Sequence, residues 1–107
     1  MSAFDEREKA YEKKFAQDEE LHFRATARRN RLLGLWAAEK LGLAGEAADE
    51  YARSVVRSDF DEPGDQDVFR KIRGDFDAAG VQQSDHQIQR TMTELLQTAA
   101  DQILKGE

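Results

Sequence analysis

Residues that could perform chemistry are few in this sequence, and their spacing does not bring them together. The chain has no cysteine, and its two histidines, His22 and His86, have no second histidine at helical spacing. Residues 59–64 begin like a calcium loop, but Pro63 takes the fifth position and Arg70 the twelfth, where a bidentate glutamate is required. No phosphate-binding loop, dinucleotide turn or nucleophile–base pair is present. The sequence therefore predicts no enzyme activity, no metal site and no cofactor.

A basic cluster lies between residues 24 and 31 and consists of Arg24, Arg28, Arg29 and Arg31. Arg24, Arg28 and Arg31 share one face of a helix. Guanidinium groups bind carboxylates or phosphates, so this face could contact a partner, and a solvated face paired with acidic residues is the alternative. The net charge of -6 argues against nucleic acid as the partner, because nucleic-acid binding needs a broad basic surface.

The first twenty residues combine eleven charged side chains with three well-spaced aromatic residues. Phe4, Tyr11 and Phe15 follow each other at i, i+7 and i+11, on one narrow stripe of a helix. Ion pairs around Glu8 contribute only ~0.2–0.5 kcal/mol each and cannot hold an isolated helix folded. The segment is either a solvated tail or a helix whose aromatic residues await a groove on a partner.

The composition is that of one small, helix-rich domain. The 107 residues are 39% hydrophobic and 36% charged, with one proline and seven glycines. No apolar run approaches the ~20 residues of a membrane span, and the N-terminus is too charged for a signal peptide. We therefore expect a cytoplasmic protein that is not embedded in a membrane.

Glycine, proline and capping residues divide the chain into four predicted helices, at about residues 3–41, 46–60, 65–79 and from 84 onward. Ser2 with Asp5 and Ser84 with Gln87 have capping-box spacing, and Gly80 lies where a left-handed helix stop is expected. The apolar residues recur at helical spacing. These predicted buried positions are Leu21, Ala25, Leu32, Trp36, Ala48, Tyr51, Ala52, Val55, Val56, Phe60, Val68, Phe69, Ile72, Phe76, Ala79, Ile88, Met92, Leu95, Leu96, Ala99 and Ile103.

Residues 32–38, LLGLWAA, are the most apolar run in the chain, and two of them, Gly34 and Trp36, lead to specific predictions. Gly34 costs ~1 kcal/mol in helix propensity, and close approach of another helix is the usual compensation. Trp36 is predicted to belong to the core.

The lengths of the helices indicate how the chain is organised. At ~1.5 Å per residue the first helix would reach about 58 Å, and the others roughly 20–32 Å. The long helix cannot pack along its full length, and its apolar stripe rotates by about 70° near residues 17–20. We predict an all-α four-helix bundle at residues 20–107. Residues 1–19 form a mobile N-terminal arm, which is the first part of the long first helix.

Four stretches of the chain resemble a known family. They are AFDERE at residues 3–8, FAQDEEL at 15–21, RRNRLLGLWAA at 28–38 and DVFRK at 67–71. These resemble the zeta inhibitor subunit of alphaproteobacterial F-type ATP synthases, a family formerly described as a domain of unknown function. In addition, residues 19–28, EELHFRATAR, are similar to the inhibitory helix of the mitochondrial ATPase inhibitor protein.

The resemblance implies an inhibitor of ATP hydrolysis. Its N-terminal segment would insert at a catalytic alpha/beta interface of the synthase head, near the gamma subunit, and the protein would be peripheral to the inner membrane. The expected partner-binding residues are Phe4, Arg7, Glu8, Tyr11, Lys13, Lys14, Phe15, Phe23, Arg24 and Arg28. The alternatives are a helical regulator that binds a nucleotide or another phosphate ligand, and a helical adaptor for an unrelated partner.

Overall fold

The computed structural model describes residues 18–59 and 65–107. These residues form four α-helices, α1 Glu19–Lys40, α2 Gly45–Ser58, α3 Gln66–Ala79 and α4 Asp85–Leu104, with no strand among them. Helix α1 packs against α2 and α4, and α3 packs against the same two helices. The predicted all-α four-helix bundle is confirmed. None of the described helices is long and apolar enough to cross a membrane.

Helix α1 begins at a side-chain cap. Asp18 has an extended backbone (φ -108°, ψ 98°), and its Oδ1 accepts a hydrogen bond of 3.0 Å from the Leu21 amide. Glu19 and Glu20 place negative charge at the positive end of the helix dipole. The sequence predicts an unbroken helix from residue 3 to residue 41, whereas the structure has an N-cap at Asp18. Residues 1–17, with the Ser2–Asp5 capping box and most of the predicted arm, lie outside the described residues.

Three other helix ends lie at capping residues that the sequence contains: the C-termini of α1 and α3 and the N-terminus of α4. At Gly42 (φ 78°) and Gly80 (φ 71°) the backbone takes the left-handed conformation, and the next amide bonds back into the last turn of the helix. The Ser84–Gln87 capping box is present in full at the start of α4. The predicted C-terminus of α3 and the predicted N-terminus of α4 are therefore confirmed.

Two further helix boundaries and one predicted buried residue differ from the prediction. Helix α2 ends at Ser58, with Asp59 as its C-cap, so it stops short of Phe60; Phe60 and Pro63 lie outside the described residues. Helix α3 begins after Asp65, which is its N-cap. Ala79 is exposed because it lies in the last turn of α3, beyond the core.

The core is built from the predicted apolar stripes of α2, α3 and α4, whereas α1 contributes Leu33 and Ala37, which the predicted stripe of the first helix did not include. Trp36 is partly buried at its edge, where its ring centroid lies 5.7 Å from that of Phe76 at an interplanar angle of 59°. Tilted aromatic pairs of this kind add to the energy of apolar burial. The buried cluster comprises Leu33, Ala37, Val55, Val68, Ile72, Phe76, Ile88 and Met92.

Helices α1 and α2 approach each other closely at Gly34. A Cβ atom added at Gly34 would lie 2.6 Å from the Ala52 Cα atom and 3.0 Å from the Ala52 Cβ atom. A contact of 2.6 Å with backbone cannot be relieved by a side-chain rotation. The absence of a side chain at residue 34 therefore sets the distance between the two helices, which confirms the expected close packing.

A buried arginine joins three of the helices. Arg29 is 1% exposed, and its Nε donates to the Oδ1 of Asn30 at 2.7 Å. One terminal nitrogen donates to Asp65 at 2.5 Å and the other to the backbone oxygen of Met92 at 3.5 Å. Because its carboxylate faces Arg29, Asp65 makes no side-chain capping bond to α3. The guanidinium group thus fixes the start of α3 and the middle of α4 to α1.

Asp59 lies next to this arginine, at the end of α2. Burial raises the pKa of the Asp59 carboxyl; Asn30 and Arg29 oppose this, and Asp65 and Asp67 add to it by charge repulsion. The Asn30 amide nitrogen is buried and completes no hydrogen bond of normal geometry with the described residues. It therefore offsets only part of the cost of burying the Asp59 charge.

A second polar contact connects α2 with α3. The Tyr51 hydroxyl donates to the Oδ2 of Asp75 at 2.7 Å. The Lys71 Nζ atom lies 3.1 Å from the same oxygen and 5.1 Å from the centroid of the Tyr51 ring. Burial, together with the hydrogen bond and the charge of Asp75, raises the pKa of Tyr51 well above its usual range. Tyr51 therefore stays neutral and acts as a donor that links the two helices.

Replacing Gly34 by alanine should destabilise the protein by about 1–3 kcal/mol, because the added methyl group meets the Ala52 backbone. Gly74 provides the matched control, since it lies in α3 with no heavy atom within 4 Å of an added Cβ. Gly74→Ala should stabilise the protein by up to ~1 kcal/mol through helix propensity. Urea unfolding measures both, and an equal gain in the two variants would contradict close packing at Gly34.

Removing the carboxylate of Asp65, which is itself 54% exposed, should cost about 1–3 kcal/mol, because the buried Arg29 loses its charged hydrogen-bond acceptor. The double variant Arg29→Met/Asp65→Ala should lose less than the sum of the two single variants, in a double-mutant cycle measured by urea unfolding. The exposed pair Arg90–Glu94 is the control, where Glu94→Ala should cost at most ~0.5 kcal/mol. Additive losses at Arg29 and Asp65 would refute the coupling.

Stability should depend on pH through Asp59. Since its pKa is raised in the folded state, its favourable contribution is present while it is protonated and is lost as pH rises through the folded-state pKa. Asp59→Asn removes this ionisation, so the variant should gain stability relative to the wild type as pH rises from about 3 to 7. Free energies of unfolding at several pH values measure the difference. A difference that stays constant with pH would contradict the assignment.

Candidate functional site

The outward face of α1 carries the most exposed large apolar side chain among the described residues. Phe23 is 65% exposed. At 100° per residue, Ala27 and Arg31 follow Phe23 along the helix, and Glu20 and Arg24 lie in the adjacent row. We call Phe23, Arg24, Ala27 and Arg31 the outward face; it lies opposite the side on which Leu21, Ala25 and Arg29 are buried.

Most of the outward face is exposed because α2 does not reach its first turns; Phe23, Arg24 and Arg31 are exposed, and Ala27 is half-buried. Gly34 and Ala38 continue the same side of α1 and are buried, Gly34 against Ala52 of α2. The 22 residues of α1 rise about 33 Å, whereas the 14 residues of α2 rise about 21 Å. The first turns of α1 therefore extend past α2 and leave their outward side uncovered.

Arg24 and Arg31 are exposed, and neither makes a hydrogen bond or ion pair with the described residues. Exposed arginines on other helices form ion pairs, for example Arg53 with Glu50 at 3.0 Å on α2 and Arg90 with Glu94 at 3.0 Å on α4. Two guanidinium groups that bond no carboxylate among the described residues thus lie beside an exposed phenylalanine, with the exposed Glu20 one turn before Arg24. Such a combination can accept a carboxylate at either arginine and an apolar surface at Phe23.

Arg28 belongs to the contact between α1 and α4. One terminal nitrogen donates to the backbone oxygen of Glu107 at 2.7 Å, and the other lies 3.5 Å from the Oε1 of Gln102. A partner that contacts Arg28 would have to replace these bonds. Arg28 is therefore less available than Arg24, although both are among the predicted partner-binding residues.

The fourth arginine of the predicted basic cluster does not belong to a surface. Arg29 is buried, so the predicted cluster of four arginines is corrected. Only Arg24 and Arg31 face outward, and Arg28 is half-buried, between the outward face and the buried side of α1. The burial of Arg29 has a sequence signal, because Leu21, Ala25, Arg29 and Leu33 are each four residues apart. A charged residue within an apolar i, i+4 series indicates a buried ion pair as readily as a surface cation.

Seven of the predicted partner-binding residues lie outside the described residues and stay predictions. They are Phe4, Arg7, Glu8, Tyr11, Lys13, Lys14 and Phe15.

The junction between α3 and α4 forms a polar cleft whose central cation is already bonded. Arg73 donates to Asp77 at 2.7 Å, to the backbone oxygen of Gln83 at 2.6 Å and to Asp85 at 3.1 Å. The hydrogen bonds to Asp77 and Asp85 raise the pKa of Arg73. In the ranges 18–59 and 65–107 no group of three or more potential metal ligands comes together. The outward face of α1 is therefore the better candidate for a binding site.

Comparison with known proteins identifies the family. The family described as ATPase inhibitor subunit zeta matches residues 1–102. A protein whose structure was solved by solution NMR is 39% identical, with a TM-score of 0.72; the match covers 81% of this chain and 99% of that one. Among proteins with curated descriptions, none matches the sequence. The family match takes in both the bundle and the N-terminal segment, and the chain belongs to the ATPase inhibitor subunit zeta family.

Proposed function

We propose that the protein inhibits ATP hydrolysis by the F-type ATP synthase by inserting its N-terminal segment at a catalytic alpha/beta interface, next to the gamma subunit. The observation that carries the proposal is the family match, which begins at residue 1 and so includes this segment. The family name describes an inhibitor subunit, which is a regulatory role without catalysis. The inserted segment blocks rotation sterically and performs no chemistry.

The segment binds through its aromatic residues. Phe4, Tyr11 and Phe15 occupy apolar recesses of the interface, where each desolvated aromatic anchor contributes on the order of 2 kcal/mol. The charged residues steer the approach and set the orientation of the segment. These are Arg7, Glu8, Lys13 and Lys14.

The bundle holds the segment and supplies the adjoining residues. The chain enters α1 through the Asp18 cap, so the segment leaves the bundle at a defined point. Phe23 and Arg24 follow within the first two turns and contact the same partner, and Arg28 joins them if it leaves its bonds to α4. The protein is thereby located in the cytoplasm, peripheral to the inner membrane and attached through the synthase head.

Replacing Phe4, Tyr11 and Phe15 together by alanine should raise the concentration needed for half-inhibition by more than about 100-fold, because three anchors are lost. ATP hydrolysis by the purified cognate synthase head, titrated with each protein, measures this. The control replaces Glu6 and Lys9 by alanine; at 100° per residue these lie about 200° and 140° around a helix from Phe4, so the changes should leave inhibition nearly unchanged. Circular dichroism checks that the bundle of each variant stays folded.

The same titration with a protein that lacks residues 2–17, and so keeps the Asp18 cap of α1, separates the segment from the bundle. Loss of inhibition supports the segment as the effector. Full inhibition by the shortened protein would assign the activity to the bundle. Failure of the full-length protein to inhibit at all would refute the proposed function.

A further inference from the structure

We propose that the outward face of α1, formed by Phe23, Arg24, Ala27 and Arg31, is a second docking surface that binds a carboxylate-rich protein surface on the synthase head. The inference rests on the proposed function, and it adds an independent binding surface on the bundle. It also assigns a role to Arg31, while Arg28 serves mainly to hold α4.

The first support is the vacant packing position on α1. From Gly34 onward this side of α1 is covered by α2, and the contact is tight enough to exclude a Cβ atom. Toward the N-terminus the covering decreases: Asn30 is still buried, Ala27 is half-buried and Phe23 is 65% exposed. Ala27 lies between Phe23 and Arg31 and, being small, lets a partner approach the helix closely. The open stretch thus offers a partner the same kind of helix side that α2 occupies farther along.

The second support is charge. In the described residues every arginine other than Arg24 and Arg31 has a hydrogen bond or an ion pair within the protein. The chain as a whole carries a net charge of -6, so an acidic partner is repelled by most of it. Only a locally basic face allows such a partner to dock, and this fixes its orientation.

The third support is continuity with the proposed insertion of the N-terminal segment. Phe23 lies five residues after the Asp18 cap, a rise of about 7.5 Å along α1. A partner that holds the segment is therefore within reach of the outward face. Two linked contacts raise the overall affinity because the second forms at a high effective concentration.

The test measures binding of the full-length protein to the purified cognate synthase head, by fluorescence anisotropy. Phe23→Ala and Arg24→Glu/Arg31→Glu should each weaken binding by about tenfold or more. Leu104→Ala is the matched control for the loss of an exposed apolar side chain, since Leu104 is 40% exposed on α4. Arg53→Glu/Arg57→Glu is the control for charge, with side chains 64% and 63% exposed on α2. Both controls should bind like the wild type.

A second comparison shows whether the face acts independently of the N-terminal segment. Arg24→Glu/Arg31→Glu should weaken binding further in the protein that already carries the three aromatic replacements, because distant contacts contribute additively. Raising the ionic strength should weaken the wild type more than Arg24→Glu/Arg31→Glu. Unchanged binding of Phe23→Ala and the double arginine variant would overturn the proposal.

Other occupants of the face give distinguishable results. A dimer in analytical ultracentrifugation that Phe23→Ala dissociates would assign the face to a second copy and overturn the proposal. Calorimetric binding of ATP or ADP that Arg24→Glu/Arg31→Glu abolishes would assign it to a nucleotide, with the same consequence. If the wild type inhibits and the face variants bind equally well, the docking surface and the proposed contacts of Phe23 and Arg24 both fail, whereas inhibition by the N-terminal segment stands. If the wild type neither binds nor inhibits, both fail.

Discussion

The buried guanidinium group of Arg29 is the interaction on which the arrangement of the bundle depends. A charge that is 1% exposed is costly unless its donors are bonded, and its partners come from three helices: Asn30 of α1, the Asp65 N-cap of α3 and Met92 of α4. Satisfying them places the start of α3 and the middle of α4 beside α1. Gly34, a little more than one turn farther along α1, then admits α2 at close range.

Local signals were sufficient to predict much of the fold from the sequence. The Ser84–Gln87 capping box, the left-handed stop at Gly80 and the absence of a side chain at Gly34 each act within a few residues or through one contact. The role of Arg29 depends instead on Asp65, 36 residues away, and on a backbone oxygen of α4. Such partners cannot be read from helical spacing, so the sequence alone places Arg29 in one basic cluster with Arg24, Arg28 and Arg31.

The candidate site likewise has some features that the sequence predicts and others that depend on non-local contacts. Exposure of Phe23 follows from its position on the helix opposite Leu21 and Ala25, which the sequence pattern contains. Whether that side stays exposed depends on where α2 ends along α1, which follows from its contact at Gly34 together with its end at Ser58. The difference between Arg24 and Arg28 depends on the last turn of α4 and on Glu107. Non-local contacts thus decide which of several similar arginines is free to bind.

The same contacts prepare α1 for binding. Its first turns are capped by Asp18 and held to the bundle by the burial of Leu21 and Ala25, with Arg29 fixed just below them. Side chains on the outward face therefore project from a backbone that is already ordered. Ordering a helix at the moment of binding costs about 1–2 kcal/mol per residue in backbone entropy. A face presented on a prebuilt helix avoids this cost, so even a small contact there can contribute to affinity.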